Sequence, residues 1–92
     1  LEKLFTTKLG SEHVIQVKPI MGSEDFGIFG STAKIPYVIF WLGAADPQQF
    51  AEYKKQGTSM PALHSSHFAP LPEPTLRTGI TAMTDAALYL LQ

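Results

Sequence analysis

The feature that most constrains the fold is the six-residue segment 37–42, in which every residue is apolar. Pro36 precedes this segment and Gly43 follows it. In an extended chain, side chains alternate between two faces, so both faces of this segment would be apolar. That pattern is typical of a strand covered on both sides, usually in a parallel sheet. We therefore expect residues 37–42 to form a central strand with both faces buried.

Helical patterns alternate with this strand and with a second one. Residues 1–9 predict the end of an amphipathic helix stopped by Gly10, and residues 14–17 predict a short β-branched strand. Residues 21–30 predict a short helix of about two turns. Asp46 and Pro47 are typical of a helix start, and that helix should end near Gly57. A final long helix is predicted by apolar residues on one face: Leu76, Ile80, Met83, Ala87 and Leu90.

This order of elements predicts an α/β fold, in which helices cover a largely parallel sheet. Two strands alone would leave sheet edges unpaired, so a larger sheet is expected. The chain has no initiator Met, and helical spacing begins at Leu1 with no capping residue before it. From this we expect residues 1–92 to be part of a longer sequence, without an internal domain boundary.

Composition excludes several classes of partner. The formal net charge is −1, from seven Lys and Arg against eight Asp and Glu, so nothing favours nucleic acid or an anionic membrane surface. The longest apolar run, residues 37–45, is shorter than the roughly 20 residues of a membrane span. Cysteine is absent, which excludes disulfides and thiolate zinc sites. That is compatible with a reducing compartment, and we expect a cytoplasmic location.

His64 and His67 are the first candidates for chemistry, since imidazole is the commonest metal-binding side chain. They lie in a loop flanked by prolines, the kind of segment in which α/β enzymes place functional residues. Their spacing alone leaves a metal site, surface histidines and histidines that cap the core as open interpretations. His13 follows a turn, and there the pattern favours a solvated loop.

A second candidate is the run Gly22-Ser23-Glu24-Asp25 before a predicted helix. A glycine there lets the backbone approach a ligand, and the free N–H groups of a helix start favour an anion. The alternative is plain capping, with Ser23 as the N-cap and two carboxylates that interact with the helix dipole. Glu24 and Asp25 are adjacent, so on a helix they point in different directions and make a poor acid–base pair.

Taken together, these segments resemble the end of the aminoacylase-type metallopeptidases, which include N-acyl-amino-acid amidohydrolases, hippurate hydrolases and plant auxin-conjugate hydrolases. The resemblance runs in order along nearly the whole chain. It is carried by these motifs: Met21-Gly22-Ser23-Glu24-Asp25-Phe26, Ile35-Pro36, Phe40-Trp41-Leu42-Gly43, Asp46-Pro47, Gly57, Leu63-His64-Ser65, Phe68-Ala69-Pro70, Pro74-Thr75-Leu76 and Gly79.

The resemblance implies that residues 1–92 form the C-terminal portion of a three-layer α/β/α sandwich. The upstream catalytic half and an inserted lid domain used for dimerisation would lie outside this chain, and the full-length protein would be a homodimer. The resemblance also implies two divalent metal ions (Zn, Mn or Co), with His64 as the last ligand and His67 as no ligand. Gly22, Ser23 and Glu24 would form part of the substrate-binding wall.

The expected function is hydrolysis of the amide bond of an N-acyl amino acid or small peptide by metal-activated water. This chain would contribute one metal ligand and part of the pocket to that reaction. One histidine cannot hold two metals, so the chain alone is expected to be inactive and need not bind a metal. An alternative of another class is a non-catalytic α/β binding or interaction module with a vacant site.

Overall fold

The computed structural model describes residues 1–22 and 24–92. The chain divides into two compact units, Leu1–Trp41 and Leu42–Gln92. The first unit contains α1, a short 3₁₀ helix and α2, and the second contains α3 and α4. Their bounds are Glu2–Leu9 for α1, Ser11–His13 for the 3₁₀ helix, Phe26–Ala33 for α2, Pro47–Lys55 for α3 and Pro72–Leu90 for α4.

The predicted α/β fold with a parallel sheet is wrong, because the described residues contain helices and no strand. Residues 14–17 and 37–42 lie outside regular secondary structure. The side chains of residues 37–42 are between 37% and 57% exposed, so neither face of this segment is buried. A strand requires a neighbouring strand that pairs with its backbone, and apolar side chains alone do not supply one. The sequence pattern therefore shows that segment 37–42 is apolar, but it does not predict whether this segment pairs with another strand.

The first unit is built around Phe5 of α1. Among the described residues of this unit, Phe5 is the one large hydrophobic residue that is buried. Its ring packs edge to face against Phe40, which brings the start and the end of this unit together. Helix α1 ends as predicted at Gly10, whose φ of 95° lies in the left-handed region. A side chain there would be strained, and its Cβ would lie 2.6 Å from Oε1 of Glu12.

Helix α2 begins and ends later than the sequence predicts. It starts at Phe26 with Asp25 at the N-cap position, and it continues through Gly30 to Ala33. The predicted cap, Ser23, lies outside the described residues. The helix ends at Lys34, which adopts left-handed φ and ψ of 53° and 41°. Gly30 is therefore a buried helical residue, and the Tyr37 ring lies where a side chain at this position would be.

Helix α3 of the second unit confirms the start predicted from sequence. Asp46 is the N-cap, and its Oδ1 accepts a hydrogen bond of 2.8 Å from the backbone N–H of Gln48. Pro47 occupies the first helical position, where its missing N–H costs nothing. The helix ends at Lys55, and Gly57 follows with φ of 71°, close to the predicted end.

Helix α4 packs through small residues, and not through the apolar face that the sequence suggests. Its buried residues are Ala82 and Ala86, and Gly79 lies so close to Leu42 that an added Cβ would be 3.0 Å from Cδ2. The backbone N–H of Leu71 donates to the carbonyl of Ala44 at 2.8 Å. This hydrogen bond connects the start of α4 to the segment that follows Leu42. No helix in the described ranges is long and apolar enough to cross a membrane.

The larger side chains on α4 form an exposed apolar stripe. Leu76, Ile80, Met83 and Leu90 are each more than 60% exposed. An open groove lies along the first half of this helix, lined by Leu76 and Ile80 and flanked by Glu73 and Arg77. The apolar periodicity therefore predicts the helix correctly but not the face that it buries. The buried residues are the small side chains of Ala82 and Ala86.

Candidate functional site

The loop that carries His64 and His67 consists of two consecutive turns that share Ser65. The backbone N–H of Ser65 donates to the carbonyl of Ala62 at 2.9 Å, and that of Phe68 donates to the carbonyl of Ser65 at 3.1 Å. The Ser65 side chain also takes part, since its Oγ accepts a hydrogen bond of 3.1 Å from the backbone N–H of His67. Ser65 and Phe68 are half-buried, so the loop is anchored at these two positions.

Both histidines of this loop are exposed on the surface of the second unit. A single imidazole does not hold a metal ion by itself, because protein metal sites usually have three or more ligands. No group of three His, Cys, Asp or Glu side chains that could hold a metal exists among the described residues. The described residues therefore do not fit a dinuclear metal centre by themselves. His64 is exposed, and its assignment as a metal ligand stays a prediction.

The predicted substrate wall lies in the first unit. Gly22 and Glu24 are exposed, and nothing lies within 4 Å of a Cβ added at Gly22, so this backbone is open to a ligand. The carboxylate of Glu24 is already engaged, because its Oε1 accepts a hydrogen bond of 3.0 Å from the backbone N–H of Phe26. Glu24 thus supplies the carboxylate at the start of α2, while Ser23 lies outside the described residues.

The predicted site residues are divided between the two units. Gly22 and Glu24 belong to Leu1–Trp41, and His64 belongs to Leu42–Gln92. Their assembly into one pocket stays a prediction. His13, interpreted as a loop residue, is exposed and lies beside an equally exposed carboxylate, with 3.4 Å between its Nε2 and Oε1 of Glu12.

The sequence interpretation missed a contact between Tyr37 and α2. It treated Tyr37 as part of a buried strand, whereas its ring lies on the glycine face of this helix. The pattern that indicates this contact is Gly27 and Gly30, since residues three apart share a helix face and two glycines leave a flat seat. An aromatic residue shortly after the helix end is then in reach of that seat.

Comparisons with known proteins give one informative similarity. Over 69 residues, the chain is 36% identical to the N-acetyldiaminopimelate deacetylases of Lacticaseibacillus casei and Lacticaseibacillus paracasei. The similarity supports the general amidohydrolase family. The matched stretch is 75% of this chain but only 14% of either deacetylase, so the chain spans a small part of these relatives. No family profile matches the chain, and no solved structure matches it.

Proposed function

We propose that residues 1–92 are a segment of a larger metal-dependent amidohydrolase that acts on an N-acyl amino acid or a small acylated peptide. The observation that carries the proposal is the 36% identity over 69 residues to two deacetylases whose name specifies an N-acetyl amino acid. Removal of an N-acyl group is amide hydrolysis. Water adds to the carbonyl carbon, the C–N bond breaks, and the nitrogen leaves as an amine after it takes a proton.

Within this proposal, the chain has two roles. His64, held in the turn that Ser65 anchors, is one metal ligand, and the remaining ligands come from other segments of the protein. Gly22, Ser23 and Glu24 form a wall of the substrate pocket, which the exposure of Gly22 and Glu24 supports. His67 is no ligand, although it lies in the same loop. Two divalent ions, Zn, Mn or Co, are the proposed cofactors of the complete enzyme, which we propose to be a homodimer.

The isolated chain is proposed to be inactive. Amide hydrolysis requires a positioned acid–base group and an activated water together with the substrate. The described residues offer an exposed histidine loop and no acidic cluster beside it that could complete a metal site. The proposed activity therefore belongs to the complete protein.

A second candidate function is a non-catalytic interaction module. The observation in its favour is the exposed apolar stripe on α4, since an exposed apolar face of this kind marks many protein–protein contacts. It predicts a partner and no hydrolysis. The two candidates are therefore separated by activity of the complete protein.

The decisive experiment uses the complete product of the gene that encodes residues 1–92. We expect it to release free amine from N-acetyldiaminopimelate or from another N-acetyl amino acid, to lose this activity on chelation, and to regain it with Zn, Mn or Co. The isolated chain, assayed at equal concentration, should release none. A complete product that hydrolyses no member of an N-acyl amino acid panel, with or without added metal, would refute the amidohydrolase proposal and favour the interaction module.

A further inference from the structure

We infer that Tyr37 is a positioning residue, which orients Glu24 of the proposed substrate wall by clamping helix α2. The inference rests on the proposed function for the role of that wall. The clamp itself rests only on contacts within the first unit, Leu1–Trp41.

The first step is the reversal of the chain at the end of α2. Lys34 adopts the left-handed conformation, and its N–H donates to the carbonyl of Gly30. The N–H of Ile35 donates to the same carbonyl at 3.1 Å. Pro36 follows and disfavours a helical conformation at Ile35, so the chain leaves the helix extended. Together these features turn the chain back along α2 and bring Tyr37 over Gly30.

The second step is the seat on which the Tyr37 ring lies. A Cβ added at Gly30 would overlap this ring and lie 2.6 Å from its Cγ. The hydroxyl end of the ring reaches Gly27, where an added Cβ would lie 3.4 Å from the phenolic oxygen. Gly30 is buried, although the surrounding side chains of α2 are exposed. Only a residue without a side chain allows the ring to lie this close.

The third step connects the ring to the wall. Tyr37 packs edge to face against Phe26, with 6.2 Å between ring centroids and an angle of 79° between ring planes. The backbone N–H of Phe26 donates to Oε1 of Glu24 at 3.0 Å. Contacts therefore run without interruption from Tyr37 through Phe26 to Glu24. With the ring in its seat, the first turn of α2 and the Glu24 carboxylate that accepts from Phe26 have a defined direction.

The chain offers a matched pair of variants for a test. Gly30→Ala would push the Tyr37 ring from its seat, while it raises the intrinsic helix propensity of α2, so a lower helix propensity cannot explain its effect. Gly27→Ala is the same change in the same helix, but its Cβ makes ordinary contact with the ring. Tyr37→Leu removes the ring, Tyr37→Phe retains it, and Tyr89→Leu is the control for loss of an exposed tyrosine elsewhere.

The first measurement is proton NMR of the 92-residue chain. The ring current of Tyr37 should shift the Hα resonances of Gly30, and the Phe26 amide should exchange slowly with solvent. We expect both signatures to persist in Tyr37→Phe, Gly27→Ala and Tyr89→Leu, and to be lost in Tyr37→Leu and Gly30→Ala. Unshifted Gly30 resonances in the unmodified chain would overturn the clamp, whatever the protein catalyses.

The second measurement is steady-state hydrolysis of an N-acetyl amino acid by the complete gene product. Displacement of a substrate-binding wall should raise KM roughly tenfold with little change in kcat in Tyr37→Leu and Gly30→Ala. The three other variants should stay within about twofold of the unmodified enzyme. An unchanged KM in these two variants would show that Tyr37 has only a structural role. The same conclusion would follow if kcat and thermal stability both fell while KM stayed the same. If the unmodified product hydrolyses nothing, the positioning role falls with the proposed function, while the NMR result still decides the clamp.

Discussion

The rings of Phe5 and Phe40 meet edge to face, with 5.1 Å between their centroids and 66° between their planes. This contact joins α1 to a residue 35 positions later and involves Phe5, the buried large hydrophobic residue among the described residues of the first unit. Edge-to-face pairs add about 1 kcal/mol beyond the area they bury. The two rings therefore close this unit although no sheet is present in the described part of the chain.

Phe5→Ala should destabilise the first unit by about 3 kcal/mol, because it removes a buried ring and leaves Phe40 without its partner. Urea unfolding followed by tyrosine and tryptophan fluorescence measures the change. Phe50→Ala is the matched control, since Phe50 is 53% exposed and should cost less than about 1 kcal/mol. Equal losses in the two variants would contradict the assigned role of Phe5.

Asp46→Ala should destabilise α3 by about 1 kcal/mol, since the Gln48 N–H would lose its acceptor. Asp46→Asn keeps an oxygen at the same place and should retain most of the stability. Far-ultraviolet circular dichroism and the Cα chemical shifts of residues 47–55 report the helix directly. The capping role would be wrong if the two substitutions lowered helicity to the same extent.

Substitution by Asp at an exposed and at a buried position tests the exposure of segment 37–42. Ile39 is 57% exposed, so Ile39→Asp should change the free energy of unfolding by less than about 0.5 kcal/mol. Ala82 is 4% exposed, and Ala82→Asp should cost at least about 3 kcal/mol, because it buries an unpaired carboxylate. The sequence pattern by itself predicts that Ile39→Asp prevents folding. Thermal unfolding of both variants decides between these expectations.

Arg77→Ala should change stability by at most about 0.5 kcal/mol, even though Nη2 of Arg77 lies 2.9 Å from Oε1 of Glu73. Both side chains are largely exposed, so water and salt screen the pair. Glu73→Gln should lower stability at least as much as Arg77→Ala does, because Glu73 also interacts with the positive end of the α4 dipole. The measurement is thermal unfolding at low and at high salt. A cost of more than about 1 kcal/mol for Arg77→Ala would show that the pair is less exposed than described.

His64→Ala in the complete gene product should lower bound metal and nearly abolish hydrolysis, whereas His67→Ala should leave both almost unchanged. Both residues are exposed and lie in the same loop, so neither change should affect folding strongly. Elemental analysis of the purified variants, together with amine release, measures the two effects separately. Full metal content in His64→Ala, or loss of metal in both variants, would refute the assignment.

Much of the helical architecture followed from local sequence. Gly10 ends α1 because it adopts a positive φ without strain, and Asp46 with Pro47 starts α3 because the cap and the proline act within one turn. These features depend on neighbours within four residues. For that reason the sequence alone predicts them. The Leu63-His64-Ser65 resemblance likewise identified the candidate ligand, although spacing alone could not separate His64 from His67.

Contacts between distant residues were decided only by the tertiary structure. Segment 37–42 is apolar enough for a buried strand, but pairing requires a second backbone, and the described residues provide none. The sequence predicts burial of the large apolar side chains of α4, yet the residues that this helix buries are Ala82 and Ala86. Leu42 approaches the α4 backbone at Gly79, where a side chain would leave less room. The sequence pattern predicts that Gly30 ends a helix, whereas it lies within α2 beneath the Tyr37 ring. The sequence by itself determined where helices start and stop, since caps and turns are local. Which faces are covered depends on atoms far along the chain, and only the tertiary structure decides it.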